Sequence, residues 1–146
     1  MLIACYDGVT ADAGMRLVNA SARAFVGACD DVLIPGFVIG GEGVVRLLVR
    51  AVGPGLASFG VPGTLADPQL TLYQGDRAID SNNDWDAATN AADIARAAGA
   101  SGAFPLAQGS RDATLLVTLP AGAYTAKVSG AGNGTGAAMV EIYAVP

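Results

Sequence analysis

The chain contains no histidine, the residue that most often transfers protons in enzymes near neutral pH. Serine or cysteine nucleophiles activated by histidine, and metal sites built on imidazole, are therefore excluded. The carboxylates are scattered singly over turns, without an evident inward-facing pair for acid–base catalysis. A serine–lysine pair would need Lys127, which lies on the polar face of a predicted strand. We expect no catalytic residues and a protein that is not an enzyme.

Positive charge is also scarce, with 8 lysine and arginine residues against 13 acidic residues and a formal net charge of −5. Nucleic acids and anionic membrane surfaces bind proteins through clustered cations, so neither is expected as a partner. Apolar runs are interrupted by charges, glycine or proline before they reach the ~18 residues of a membrane span, so we expect no membrane insertion. Charged residues make up only 14% of the chain, which suits a domain that covers much of its surface with neighbours.

Short runs of alternating apolar and polar residues, separated by Gly, Pro, Asn and Asp, recur along the whole chain. This period of two is typical of strands with one buried face and predicts an all-β, antiparallel β-sandwich. Arg46 and Arg50 share the wetter face of one such run and are expected to pair with aspartates across the sheet or on a neighbour. The predicted strands are Leu2–Asp7, Arg16–Val26, Val32–Gly40, Val44–Ala51, Gln69–Gln74, Arg77–Asp80, Ala113–Leu119, Tyr124–Ser129 and Ala137–Val145.

One segment, Asn90–Ala100, has the pattern of a short helix that closes one end of the sandwich. Asn90 is positioned to cap it, Asp93 lies in its first turn, and Gly99 is expected to end it.

The second half of the chain resembles the bacterial pre-peptidase C-terminal type of β-sandwich in the stretches LTLYQGDRAIDSNNDWD, TLPAGAYTAKVSG and AAMVEIY. In that family a Leu-rich strand leads to an Asp/Asn turn, and a PAGxYxxxVxG hairpin precedes the closing strand. The motif order of residues 16–146, including VLIPGFVIGG and LLVRAVGPGLASFGVPGTLADPQLTLY, is also similar to a module repeated in tandem in large secreted bacterial surface proteins. The resemblance implies a jelly-roll-like sandwich and an extracellular or cell-surface location, but little about activity.

The N-terminal stretch MLIACYD aligns with AMVEIYA, the predicted closing strand at Ala138–Ala144, with Tyr6 on Tyr143. In tandem modules of this type, a closing strand ends one repeat and a linker leads to the next. The internal match predicts that the N-terminus is a strand equivalent to the closing strand of a preceding repeat. Residues 1–14 are therefore expected to form a strand and linker, and residues 15–146 the sandwich domain.

Such a strand either pairs with its own sheet or completes the sheet of a neighbour. Donation through Leu2, Ile3, Cys5 and Tyr6 would join copies head to tail, and a contact of that kind builds an open filament. The low charge density favours assembly. We predict a non-enzymatic structural subunit of an extracellular filament or surface array, whose partner is a second copy of itself.

The strongest polar cluster is DSNNDWD, in which Asp80, Asn82, Asp84 and Asp86 follow one another at every second position. Calcium loops present oxygen ligands with this spacing. The match is partial, because Trp85 stands at the usual glycine position and Ala91 at the usual glutamate position. A plain turn, in which Asn and Asp bond their own backbone, is the alternative. Calcium is the one cofactor that the sequence suggests.

Tyr73 and Trp85 flank this turn and could stack on the apolar faces of sugars, although packing of Trp85 is the alternative. These two candidate sites support a second interpretation of the sequence. In it the protein is a monomeric module of a secreted surface protein or hydrolase, and it binds extracellular glycans or calcium.

Cys5 and Cys29 are the only cysteines. In an exported protein such a pair suggests a disulfide, which would lie within one chain or, with a donated N-terminal strand, between subunits. Two unrelated thiols are the third interpretation, since a distance cannot be obtained from spacing.

Overall fold

The computed structural model describes residues 2–6, 19–28 and 32–145. Together they form seven strands, one α-helix and three short 3₁₀ helices at Pro54–Phe59, Trp85–Ala87 and Ala131–Asn133. The main elements are β1 (Leu2–Tyr6), β2 (Asn19–Val26), β3 (Gly36–Val52), β4 (Pro68–Gln74), β5 (Arg77–Asn82), α1 (Ala91–Ser101), β6 (Ala113–Gly130) and β7 (Gly136–Ala144).

Six of these strands pair antiparallel in the order β2-β7-β3-β6-β4-β5, and β1 adds to β3 in parallel. The long strands β3 and β6 bend and take part in two layers. Layer one contains β2, β7, the second half of β3 and the first half of β6. Layer two contains β1, the first half of β3, the second half of β6, β4 and β5. The predicted all-β antiparallel sandwich with one short helix is confirmed.

The bends explain why the sequence predicted four strands where the structure has two. In β3 the register with β6 breaks between Ile39 and Val44, where Gly41 and Gly43 have φ of 87° and 88°. A bulge of this kind bends a strand without ending it. In β6 the Tyr124 hydroxyl donates to the Pro120 carbonyl at 2.7 Å, across the bend. The predicted strands ended at both places, whereas β3 and β6 each continue past the bend and pair again on its other side.

A single apolar core fills the space between the layers. Inward residues of layer one, such as Leu47, Val49 and Ile142, meet Leu70 and Leu72 of layer two. These side chains alternate along their strands, as the period of two predicted. Full burial of each such side chain stabilises the fold by about 1.5–3 kcal/mol.

Helix α1 covers the outer face of layer one rather than closing an end of the sandwich. Its buried residues Ile94, Ala97 and Ala98 share a second apolar cluster with Leu48 and Tyr143 of the sheet. The helix itself is confirmed, but two predicted details are wrong.

The helix ends at Gly102 rather than at Gly99. Gly102 adopts the left-handed conformation with φ of 75°, which glycine tolerates without a Cβ clash, and its amide donates to the Gly99 carbonyl. Gly99 lies inside the last turn. Asn90 occupies the N-cap position, but its side chain makes no capping hydrogen bond; its carbonyl accepts from the Ile94 amide instead.

The buried carboxylate of Asp112 organises the crossover that follows β3. Its Oδ1 accepts the Gly53 amide at 2.8 Å and the Gly55 amide at 3.2 Å, and its Oδ2 bonds the Ser110 hydroxyl. Gly53 is required by close packing, because a Cβ there would lie 2.1 Å from the Leu65 carbonyl oxygen. Asp112 is completely buried, although aspartate is mostly exposed in folded proteins.

Within the ranges described above, no helix is both long enough and apolar enough to cross a membrane.

Replacement of Asp112 by alanine is expected to lower the free energy of unfolding by about 2–4 kcal/mol, because it leaves the buried Gly53 amide without an acceptor. Urea denaturation followed by tryptophan fluorescence measures the change. The exposed Asp76 in the β4–β5 turn provides the control, since Asp76→Ala should change stability by less than about 0.5 kcal/mol. Equal losses in both variants would contradict the role given to Asp112.

Candidate functional sites

The predicted assembly strand lies on an edge of β3. In parallel register, Leu2 pairs with Gly36, Ile3 with Phe37, Ala4 with Val38, Cys5 with Ile39 and Tyr6 with Gly40. The same edge of β3 carries β7 further along, from Leu47 to Val52. Strands from near the two ends of the chain therefore share one edge and lie on either side of the bulge.

Cys29 and the sequence between β1 and β2 lie outside the described residues. The structure therefore does not test the predicted disulfide between Cys5 and Cys29. The disulfide stays a prediction, as does the division of the chain at residues 14 and 15.

Three of the four predicted calcium ligands accept separate hydrogen bonds through their side chains, whereas the buried Oδ1 of Asp84 has no hydrogen-bond partner among the described residues. The Asp80 carboxylate accepts the Ser81 amide, the Asn82 side-chain oxygen accepts the Thr114 amide at 2.9 Å, and the Asp86 carboxylate accepts the Gly109 amide. The described residues contain no group of three or more His, Cys, Asp or Glu side chains placed to hold a metal ion. Calcium binding stays a prediction.

Asp84, the remaining member of the set, lies near Asp67. Burial is the main cause that raises the pKa of the Asp67 carboxyl, and the Asp84 charge raises it further, while Arg111 lowers it. The Arg111 guanidinium is 4.0 Å from Asp67. This acidic pair therefore belongs to the junction between β4 and the Asp/Asn turn.

The two aromatic residues proposed for sugar binding occupy different environments. Trp85 is only 7% exposed, packs in the second apolar cluster, and donates its indole N–H to the Ala107 carbonyl at 3.1 Å. Tyr73 is half-buried on β4 in layer two, opposite Ala78 and Thr125. The Trp85 ring is too buried to offer a flat surface on which a sugar could stack. Glycan binding by Tyr73 and Trp85 stays a prediction.

A charged network beneath α1 is the most unusual group of polar residues that the structure describes. Arg50 is 1% exposed, and its Nη2 lies 3.1 Å from Oε1 of the buried Glu141 in an ion pair that lacks hydrogen-bond alignment. Its Nη1 donates to the Phe104 carbonyl at 2.7 Å, and the guanidinium carbon lies 4.3 Å from the Phe104 ring centroid. The second Glu141 oxygen accepts the Tyr143 hydroxyl.

Strand register creates this network. Arg50 of β3 is directly opposite Glu141 of β7 on one side and Thr114 of β6 on the other. Cross-strand neighbours of this kind lie about 4.5–5.5 Å apart at Cβ, so their side chains meet. The expected partner of Arg50 was an aspartate, across the sheet or on a neighbour, whereas the structure pairs Arg50 with Glu141 across the sheet. The signal available was Glu141, the one charge within the apolar closing strand.

The environment of Tyr143 keeps its phenol protonated. Burial, followed by the hydrogen bond to Glu141 and the charge of Glu141, raises the pKa of Tyr143 to about 12, although Arg50 opposes the shift. The network holds charge in the protein interior, and the Tyr143 hydroxyl remains a hydrogen-bond donor to Glu141. Its chemistry is that of a structural or ligand-contacting group.

We expect Arg50→Met to destabilise the fold by about 3–5 kcal/mol, because it leaves the Glu141 charge buried without a partner. Glu141→Leu should cause a similar loss by isolating Arg50. The double variant should be more stable than either single variant, since both charges are gone. A double-mutant cycle in urea measures the coupling, and simple addition of the two losses would contradict a paired network.

Alkaline unfolding provides a second test of the network. Because the folded pKa of Tyr143 lies above the usual value of 10, the folded state holds its proton more tightly. This stabilisation is complete below pH ~10 and is lost as the pH rises towards ~12. The wild type should therefore lose stability relative to Tyr143→Phe across that interval. Parallel pH profiles for the two proteins would contradict the assignment.

No protein-family model and no curated protein sequence matches the chain. Among solved structures, it is similar to the pre-peptidase C-terminal domain of a collagenase from Bacillus anthracis, determined at 1.0 Å. That likeness covers 97% of this chain and 96% of the other, with 8% sequence identity and a TM-score of 0.47. At these values the likeness assigns neither a family nor a function, and a tandem surface module stays a prediction.

Proposed function

We propose that the protein is a non-enzymatic structural subunit that assembles head to tail outside the cell, through addition of β1 to the β3 edge of another copy. The observation that supports it most is the parallel pairing of β1 with Gly36–Gly40. This pairing occupies a stretch of β3 that β7 leaves open.

The edge needs a strand, whichever copy provides it. Without β1, the amides and carbonyls on that side of Gly36–Gly40 would lose their ladder partners. The surface nearby is apolar, since Val38 is 36% exposed and Val44 is 60% exposed. A five-residue strand satisfies the backbone groups in the same register from the same chain or from a neighbour.

The length of the connection permits exchange between copies. Twelve residues separate Tyr6 from Asn19, and such a segment spans at most about 40 Å when extended. Among the described residues of one chain, β1 contacts chiefly β3, through this one ladder. An element held by one short ladder and a long connection is suited to strand exchange.

The ionisable residues support a structural role rather than catalysis. Arg50 and Glu141 neutralise each other, and Asp112 is saturated by the Gly53 and Gly55 amides and the Ser110 hydroxyl. These groups stabilise strand register and loop conformation. The low charge content and the resemblance of residues 16–146 to secreted surface modules favour an extracellular location.

Cysteine cross-linking tests which copy supplies β1. We would place Ala4→Cys with Val38→Cys, which are register partners, in a chain with Cys5→Ser and Cys29→Ser. Oxidation at high protein concentration should give a ladder of covalent oligomers on a denaturing, non-reducing gel. The matched control is Ala4→Cys with Val44→Cys, because Val44 lies beyond the β1 register and should not cross-link efficiently.

Each pattern on that gel has a definite meaning. Cross-linked monomers alone would mean that β1 stays on its own chain and would overturn the proposal. Cross-linked dimers alone would mean reciprocal exchange, which closes and forms no filament. Deletion of Met1–Asp12 should also abolish polymers seen by light scattering and negative-stain microscopy. If the full chain is monomeric in light scattering and microscopy, the alternative of a monomeric glycan- or calcium-binding module is favoured instead.

A further inference from the structure

A cavity of about 310 Å³ lies between α1 and the outer face of layer one. Most of its wall is apolar and comes from α1, the segment after it and the 3₁₀ helix before it, with Ile94, Ala98, Ala103, Leu106 and Trp85 as the main contributors. Two polar residues of the sheet, Arg50 and Thr114, complete the lining. Cavities that bind small organic molecules have this composition, and 310 Å³ is at the low end of their range of about 300–1,000 Å³.

Both polar residues have hydrogen-bonding capacity that the described residues do not use. Arg50 and Thr114 are each 1% exposed. Nevertheless, Arg50 Nε and Thr114 Oγ1 have no hydrogen-bond partner within the described ranges. Buried polar groups are nearly always paired, so unpaired ones at a cavity indicate a missing partner. The two residues are opposite each other on β3 and β6, and one oxygen atom could serve both.

The charge balance selects the chemical class of that partner. Glu141 already neutralises Arg50, and its other oxygen is taken by Tyr143. Because the Arg50–Glu141 pair has no net charge, a ligand carboxylate or a ligand cation beside it would be buried without a counter-ion of its own. Both would be unfavourable in a poorly hydrated site. A sugar is also disfavoured, because the apolar wall offers few partners for several hydroxyl groups.

We infer that this cavity binds a small, uncharged organic molecule with an apolar body and one acceptor oxygen, such as a ketone, ester or alcohol. The acceptor oxygen receives hydrogen bonds from Arg50 Nε and the Thr114 hydroxyl, and the apolar body lies against Trp85 and α1. This site is separate from the β1 edge and does not depend on assembly.

The single tryptophan makes binding directly measurable, because Trp85 lines the cavity and no other tryptophan contributes fluorescence. The full chain would be titrated with 2-heptanone, 1-hexanol and acetophenone, with calorimetry as a second readout. We expect a saturable fluorescence change for at least one of the three probes. Absence of saturable binding by all three would overturn the inference.

Two comparisons test whether Arg50 and Thr114 bind the acceptor oxygen of an uncharged ligand. Heptanoate at pH 8 should bind at least about tenfold more weakly than 2-heptanone, because its charge would be buried without a counter-ion of its own. Thr114→Val should weaken binding of the neutral probes by about three- to tenfold, the effect expected for loss of one neutral hydrogen bond. Equal affinity for heptanoate, or unchanged affinity in Thr114→Val, would overturn the assignment of the polar end.

A variant at Ala98 tests the location. Ala98 is buried on α1 and lines the cavity, so Ala98→Leu should add its side chain to the space that the ligand would occupy. Ala92→Leu is the matched control, since Ala92 is exposed on the same helix and is not a lining residue. We expect Ala98→Leu to abolish binding and Ala92→Leu to retain it, with both variants folded by circular dichroism. Retained binding in Ala98→Leu would place the ligand elsewhere.

Discussion

The pairing of β3 with β6 is the contact on which the rest of the structure depends. Each strand runs through both layers, and their ladder continues on either side of the bends. β7 pairs with the second half of β3, β4 with the second half of β6, and β1 with the first half of β3. Because all three strands pair with this ladder, its loss would separate both layers rather than remove one edge.

The same ladder determines where the buried charge lies. Arg50 is aligned with Glu141 and Thr114 only in the observed register. A shift of one residue would turn Arg50 into the apolar core, because successive side chains point to opposite faces. Since an unpaired buried charge is strongly unfavourable, the Arg50–Glu141 pair penalises shifted registers even if its net contribution to stability is small. A buried ion pair can thus specify which of several ladders forms.

The sequence was sufficient for what is local. Alternation predicted the strands and the sandwich, and residues typical of helix ends predicted α1, because each depends on residues that are near in the chain. It was insufficient where distant segments meet. The Arg50 partner is 91 positions further on, in β7, and the Asp112 carboxylate bonds amides more than fifty positions before it. The cavity could not be predicted, because it exists only once α1 lies on the outer face of β3 and β6.

The two candidate sites use opposite ends of β3. The β1 edge lies at Gly36–Gly40, and Arg50 lies ten residues beyond it, past the bulge at Gly41 and Gly43. A bulge interrupts the hydrogen-bonded ladder and absorbs local changes in strand direction. Displacement of β1 from its edge would therefore be transmitted poorly to the cavity, and occupation of the cavity poorly to the edge. On this geometry, the proposed assembly and the proposed ligand binding would be independent of each other rather than two states of a switch.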